Sequence, residues 1–477
     1  MNKKYLFVSL FFLLIFSSLL LVSFKKKSPE RPNIIFLLAD DLRYDALSCM
    51  GNTILKTPNI DALAKGGTLF KNSFATTPIC CVSRASIFSG QYSNRHGIND
   101  FGTNFSKSAS ANNFPELLRN AGYYTGFIGK YGVGGSKIPS TSYDYWRAFE
   151  GQGVYFYKDK QGQPIHNTDL VCNQALEFLE IRDKDKPFCL QVSFKAPHVQ
   201  DGSNIHNGYI YSPFYENYFS KIDIPPSPTG DDKYYLAFPA EFRVNSKGII
   251  NEARKRWDMR FSTPEKYQES VKSYYRLITG MDDAIKRLVD NLKEKGLDKN
   301  TIIVFSSDNG YSLGDHGLEG KWYAQNESLR TTTIVYDGRS IQNKQVDEHI
   351  ALNVDLAPTI LDYAGVSIPS QMQGKSLKPL VERKKCDWRS EFYYNHLLET
   401  EKPNSKTYIP KSEGLVDGVY KYARYFHGDN PDNFFFEEFY NTKIDPFEIN
   451  NLADNPKNVK IKKVMVEKMI GYRISLK

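Results

Sequence analysis

Cysteine is scarce in this chain of 477 residues: there are six, Cys49, Cys80, Cys81, Cys172, Cys189 and Cys386, widely spaced and with no Cys-x-x-Cys pair. That pattern excludes the common structural zinc modules, and it leaves the connectivity of any disulfides open. A strong charge of one sign is also missing. Of the formal balance of +8, five lysines (Lys3, Lys4, Lys25, Lys26 and Lys27) lie in the first 27 residues. The remaining +3 is too small to make nucleic acid a partner. No segment has the composition of a long disordered tract. The run Gly132-Val-Gly-Gly-Ser-Lys137 lacks the complete pattern of a phosphate loop.

The long apolar run is Tyr5 to Phe24, preceded by Met-Asn-Lys-Lys and closed by Lys25, Lys26 and Lys27. A basic start and an apolar middle predict a secretory signal over residues 1–27. Twenty helical residues also reach about 30 Å, so an uncleaved membrane anchor fits the same pattern. No small-x-small cleavage site follows, and no cysteine sits where a lipoprotein is lipidated. Export to the periplasm or the extracellular space is expected in either case, with the membrane a partner only if the leader stays uncleaved.

What remains is longer than one core usually supports, which predicts a large domain over 28–365 and a smaller one over 366–477. Asn33-Ile-Ile-Phe-Leu-Leu-Ala39 and Thr301-Ile-Ile-Val-Phe-Ser306 are continuous apolar runs, the mark of strands buried on both faces of a parallel sheet. Helical periodicity lies between them at 59–66, 114–121, 170–182 and 265–295, the last expected to break near Gly280. Alternating strands and helices indicate an α/β fold. The segment 202–247, rich in Tyr, Pro, Asn and Asp, reads as a long insertion near the site. Beyond Val366, short aromatic pieces at 391–394 and 418–425 and a terminal basic helix near 458–474 predict an antiparallel sheet packed with a helix.

The first run ends in Asp40-Asp41 and the second leads into Asp308-Asn309, at the strand ends where open α/β sheets bind ligands. Three carboxylates and one amide favour a hard cation, calcium or magnesium, over zinc. Cys80 stands at a predicted helix start with Arg84 four residues on, hence on the same face, where free amides of a first turn favour an anion. Lys130, His198 and Lys321 each follow a strand end or a glycine, and His316 lies close after the metal pair. His96 and His396 admit structural or functional readings alike.

These residues carry a resemblance. The stretch Cys80-Cys-Val-Ser-Arg84 followed by Ser89-Gly90 resembles the signature of the formylglycine-dependent sulfatases, members of the alkaline phosphatase superfamily. Matching blocks run in order through Asn33 to Asp41, Lys195-Ala-Pro-His198, Asp308-Asn-Gly310, Gly320-Lys-Trp322, Asn353 to Thr359 and Asp445 to Leu452. The adjacent cysteines also resemble the N-acetylglucosamine-6-sulfatase-like members. Two positions depart from the pattern: Val82 stands where Pro or Ala is usual, and Gly132 where many members carry His.

The resemblance implies an alkaline-phosphatase-like sandwich, with a large mixed and mainly parallel sheet flanked by helices and a small C-terminal sheet with a helix. It implies conversion of Cys80 to formylglycine by a formylglycine-generating or sulfatase-maturing enzyme. It also implies a metal site of Asp40, Asp41, residue 80, Asp308 and Asn309 holding Ca2+, with Mg2+ also admissible. Arg84 would hold the hydrated aldehyde, Lys130 and Lys321 would balance the sulfate charge, and His198 would contact the sulfate or give the leaving oxygen its proton, with Lys321 the other candidate donor and His316 bordering the substrate. The expected reaction is hydrolysis of sulfate esters, on sulfated polysaccharides or oligosaccharides. The competing readings are a phosphatase or phosphodiesterase of the same superfamily and a catalytically silent glycan-binding homologue.

Overall fold

The structure, a computed structural model, describes residues 31–135, 140–340, 345–401 and 404–477. The leader at 1–27 lies outside them, as does the Lys137 end of the glycine-rich run. Among the described residues no helix is long and apolar enough to cross a membrane.

All eight residues of β1 (Asn33–Asp40) are buried. Its side chains alternate between two cores, as the pleat of a strand requires. Ile35, Leu37 and Ala39 meet helices α1 (Pro58–Gly66), α4 (Asn167–Ile181) and α5 (Pro264–Glu294) on one side. Ile34, Phe36 and Leu38 meet α2 (Cys80–Ser89), α3 (Phe114–Asn120) and α6 (Leu356–Ala364) on the other. The unbroken apolar run in the sequence thus reflects a strand with no solvent-facing side.

The remaining strands of this sheet are β2 (Thr68–Phe74), β3 (Tyr124–Lys130), β4 (Tyr145–Phe149), β5 (Phe188–Pro197), β6 (Thr301–Ser307), β7 (Arg330–Asp337), β8 (Gln345–Asp347) and β9 (Ala351–Leu352). They lie in the order β8-β2-β7-β6-β1-β5-β3-β4, with β9 also on β2. β1 runs parallel to β5 and β6, and β3 runs parallel to β5 and β4. β7 is antiparallel to both β6 and β2, so the sheet is mixed. Ala39 pairs with Ser307, Asp40 with Pro197 and Gly129 with Ser193. The carboxyl ends of β1, β3, β5 and β6 therefore finish along one edge.

A second sheet, β10 (Phe392–His396), β11 (Lys411–Val416), β12 (Tyr420–Phe426) and β13 (Phe434–Asn441), is antiparallel throughout. Helix α7 (Val459–Ser475) packs against its first three strands. A third core joins this sheet to the large one: Phe392, Tyr394, Tyr425 and Phe439 pack in one cluster with Phe74, Cys81, Val82 and Trp322.

One detail differs from expectation. Helix α5 runs unbroken through Gly280. A single glycine costs a helix only about 1 kcal/mol, and here the Tyr215 ring lies 3.0 Å from where a Cβ would stand, so the bare backbone serves close packing. The insertion at 202–247 is not an open loop. It carries short helices at Asp232–Leu236 and Ala240–Arg243, and its Tyr209, Tyr211 and Ile224 are buried in the core that α5 shares.

Candidate active site

The Asp40-Asp41 turn is fixed from below. Asp41 has φ 60°, a left-handed conformation, and its carbonyl accepts from the Tyr274 hydroxyl at 2.7 Å. The same hydroxyl accepts from the Arg43 amide at 2.8 Å, and Leu42 N donates to Ser307 Oγ at 3.1 Å. Across the strand gap, Asp308 Oδ1 accepts from the amides of Asp41 at 3.2 Å and Asn309 at 2.9 Å. Asn309 Nδ2 donates to Asp41 Oδ1 at 2.7 Å. Asp40, Asp41, Asp308 and Asn309 are thus brought together, all of them buried.

Three cations face them. Arg84, with no exposure, donates from Nε to Asp308 Oδ2 at 2.8 Å and from Nη1 to Lys130 O and Ser193 Oγ, both at 2.6 Å. Lys130 Nζ is bonded to Asp40 Oδ2 and, at 2.6 Å, to Gln152 Oε1. Lys321 Nζ straddles the Asp41 carboxylate at 2.5 and 2.6 Å. His198 Nε2 lies 3.4 Å from Asp41 Oδ2, while its Nδ1 meets the Val199 carbonyl at 2.5 Å. Asp40, Asp41 and His198 offer ligand atoms that all lie within 4.8 Å of one another. Sequence reasoning had placed His198 with the sulfate contacts; the geometry also puts it beside Asp40 and Asp41, residues that could hold a cation.

Burial sets the electrostatics. It pushes Asp308 up to about 7, with the neighbouring Asp40 adding to the effect and Arg84 opposing it. Burial likewise raises Asp41, against the pull of Lys321. At Asp40, burial is outweighed by Lys130, His198, Arg84 and Lys321, which hold its carboxyl well below the usual range. The His198 imidazole is held well below its ordinary value by burial, although Asp40 works in the opposite direction.

A hard divalent cation fits this donor set. Asp40 Oδ1 and Asn309 Oδ1 are buried acceptors with no hydrogen bond among the described residues. Unpartnered buried oxygens are costly, and both belong to the residues that would coordinate the ion.

Cys80, 1% exposed, opens α2, a helix whose ten residues are all buried. It lies within electrostatic reach of Arg84, Lys130 and Lys321. Cys81 and Val82 point elsewhere, into the third core, and burial together with Cys80 pushes the Cys81 thiol well up. The paired cysteines therefore do different things. The start of α2 is pinned by Ser83, whose hydroxyl donates to the Asp308 carbonyl and accepts from Asn353 Nδ2 at 2.8 Å. Trp322 N donates to the Pro78 carbonyl at 3.0 Å, tying the Lys321 segment to the same turn.

His316 sits outside this cluster. Its ring packs against Tyr234 and Phe238, and its Nε2 is buried with no hydrogen bond among the described residues. His96 bonds Ser86 Oγ at 3.0 Å, and His396 is buried in the small sheet. Sequence reasoning missed Gln152, Tyr155 and Lys195. Gln152 and Tyr155 lie on the loop after β4 and carry no periodicity that marks them; Lys195 belonged to a recognised block but was assigned no role.

The chain matches the sulfatase family over residues 32–366 and the N-sulphoglucosamine sulphohydrolase C-terminal family over residues 314–475. It belongs to the sulfatase family. An N-acetylglucosamine-6-O-sulfatase of Bacteroides thetaiotaomicron is 30% identical over 93% of this chain and 86% of its own length. An arylsulfatase of Clostridium perfringens is 26% identical over 92% and 95%. A solved structure of a protein in complex with its substrate D-glucosamine-2-N,6-O-disulfate is 28% identical, with TM-score 0.77, covering 94% of this chain and 98% of that one. As a sulfatase, the protein is a sulfuric ester hydrolase, and its α/β fold is that of the alkaline-phosphatase-like sulfatases.

Proposed function

We propose that this sulfatase removes sulfate from carbohydrates, with the 6-O-sulfated hexosamine of a glycan as the substrate class, after oxidation of Cys80 to formylglycine by a maturation enzyme. The observation that carries this is the placement of Cys80 on the first turn of a buried helix, among Arg84, Lys130 and Lys321 and beside the carboxylate and amide cluster. The substrate class rests on the N-acetylglucosamine-6-O-sulfatase and on the disulfated glucosamine complex. The basic and apolar leader supports export to the periplasm or beyond.

Formylglycine supplies the attacking oxygen, and a calcium or magnesium ion, when bound, supplies the Lewis acid. Asp40, Asp41, Asp308 and Asn309 would hold that ion. With Asp40 and Asp41 on the ion, Lys130 and Lys321, which now bond those carboxylates, would be free to serve a sulfate. Arg84 keeps Asp308 oriented through Nε, and its Nη2, 3.8 Å from Asp40 Oδ1, makes no hydrogen bond among the described residues. Since Nδ1 of neutral His198 donates to Val199 O, its Nε2 carries a lone pair and can accept a proton or a hydrogen bond but not give one. The proton for the sugar oxygen leaving sulfur then comes from the Lys321 ammonium group, with His198 Nε2 beside it as an acceptor.

Mass spectrometry of the tryptic peptide spanning residues 72–84, from protein made in its native host, should show Cys80 as the aldehyde. The same preparation should hydrolyse N-acetylglucosamine 6-sulfate faster than small aryl sulfates. A folded, metal-bound protein with Cys80 still a thiol would sink the mechanism, and activity confined to aryl esters would sink the substrate assignment.

A further inference from the structure

Lys130 has two hydrogen-bond acceptors among the described residues, Asp40 Oδ2 and Gln152 Oε1. A carboxylate that coordinates a divalent cation gives up much of its hold on an ammonium group. Once Asp40 takes that role, the side-chain amide of Gln152 is the acceptor left to Lys130. The bond at 2.6 Å also fixes which way the amide faces, because Oε1 must meet the ammonium group and Nε2 must therefore turn away from it. Nε2 makes no hydrogen bond among the described residues, and Gln152 is half-buried, so this donor stands free at the margin of the site.

The main chain of Gln152 holds a second cation. Its carbonyl accepts from Lys195 Nζ at 2.9 Å, and Lys195, itself buried, lies over the Tyr155 ring at 5.1 Å. Three residues on from Gln152, the Tyr155 hydroxyl donates to the His198 carbonyl at 2.6 Å, and Tyr155 N donates to Gln200 Oε1 at 2.8 Å. One short loop after β4 thus bonds to Lys130, Lys195 and the His198 segment together. Gly132, also beside Lys130, has φ 73°, and a Cβ there would fall 2.7 Å from Arg84 Cδ. Position 132 thus offers the anion no side chain, and the wall beside Lys130 has to be completed from elsewhere.

We infer that Gln152 belongs to the sulfate site: its Oε1 positions Lys130 when Asp40 binds the cation, and its Nε2 donates to an oxygen of the bound sulfate group. This rests on the sulfate-ester reading above and extends it by one residue. An amide suits the place, since it accepts from an ammonium group and donates to an anion at once, whereas a carboxylate there would neutralise Lys130 and repel the sulfate.

The test compares wild type, Gln152→Ala and the isosteric Gln152→Glu as calcium-loaded proteins. It measures inorganic sulfate binding by calorimetry, steady-state hydrolysis of an aryl sulfate, the aldehyde content at position 80 and the melting temperature. Loss of one donor to a charged group predicts roughly ten- to hundredfold weaker sulfate binding in Gln152→Ala. The increase is expected mainly in KM, with kcat falling less, and Gln152→Glu should bind sulfate more weakly still. Melting temperature and aldehyde content should match wild type in both. Sulfate binding and KM within twofold of wild type in both variants overturn the assignment, as does a wild type that binds no sulfate. Gln152-dependent sulfate binding in a wild type without turnover leaves this assignment standing and removes the reaction instead.

Discussion

Arg84 shows how one side chain can hold a buried charge cluster together. Its guanidinium is 2.8 Å from Asp308 and 3.8 Å from Asp40, with no exposure on any of the three partners. Removing one member of such a set leaves the others buried and uncompensated. Arg84→Ala should therefore lower the unfolding free energy of the chelated protein by about 3–5 kcal/mol, read from urea denaturation. Arg84→Lys should recover little, because one ammonium group cannot serve Asp308, the Lys130 carbonyl and Ser193 at once. A chelated Arg84→Ala protein with the wild-type midpoint would show that the three charges are not mutually dependent. Arg84 was legible in the sequence because its spacing from Cys80 is local, fixed by one turn of helix. Gln152 and Lys195 were not, because their roles arise only when the loop after β4 and the end of β5 meet beside Lys130.

At the scale of elements, the apolar runs that became β1 and β6 were legible because a strand buried on both faces allows almost no polar residue. The pairs Asp40-Asp41 and Asp308-Asn309, which would hold a cation, stood out for the same reason, at or just past the places where those runs end. Contacts between helices were not. The start of α1 has no cap from its own N-cap residue Thr57; instead Asp282, midway along α5, accepts from Ile60 N at 2.8 Å, Asn59 N at 3.2 Å and Asn59 Nδ2 at 2.7 Å. Nothing local to Asn59 announces a partner more than two hundred residues away. Asp282→Ala should cost about 1–2 kcal/mol, the usual range for a lost cap. Burial pushes the Asp282 carboxyl up to about 6 from its ordinary value of 3.8. The folded state thus holds its proton to higher pH than the unfolded state does, and ionisation in the fold costs stability as pH rises through 4 to 6. Wild type should then gain on Asp282→Asn by up to about 3 kcal/mol between pH 7 and pH 4. Parallel stability curves for the two proteins across that range would show that the hydrogen bonds to Asp282 offset its burial.

At the scale of the whole molecule, the sequence divides at about residue 366 by pattern, whereas the packing crosses that line. The third core places Cys81, Val82 and Trp322 from the site-bearing elements against Phe392, Tyr394, Tyr425 and Phe439 of the small sheet. Polar contacts follow the same route. Thr77 Oγ1 donates to Asn395 Oδ1 at 2.8 Å, three residues before Cys80. Lys421 of β12 pairs with Glu448 in full burial, and Glu448 Oε2 accepts from Asn326 N at 3.1 Å on the segment just after Lys321. The block from Asp445 to Leu452, visible in the sequence only as part of a resemblance, gains its physical meaning here, since it carries the carboxylate that anchors the segment after Lys321 to the second sheet. A shared core and a buried ion pair couple the stabilities of the two parts, because neither can open without exposing apolar surface or an unpaired charge of the other. Calorimetry of the chain from residue 28 onward should therefore give one cooperative transition, and a fragment over 28–365 should fail to fold. Two separate transitions, or a soluble fragment that still binds calcium, would mean that the third core is a docking surface between independent domains.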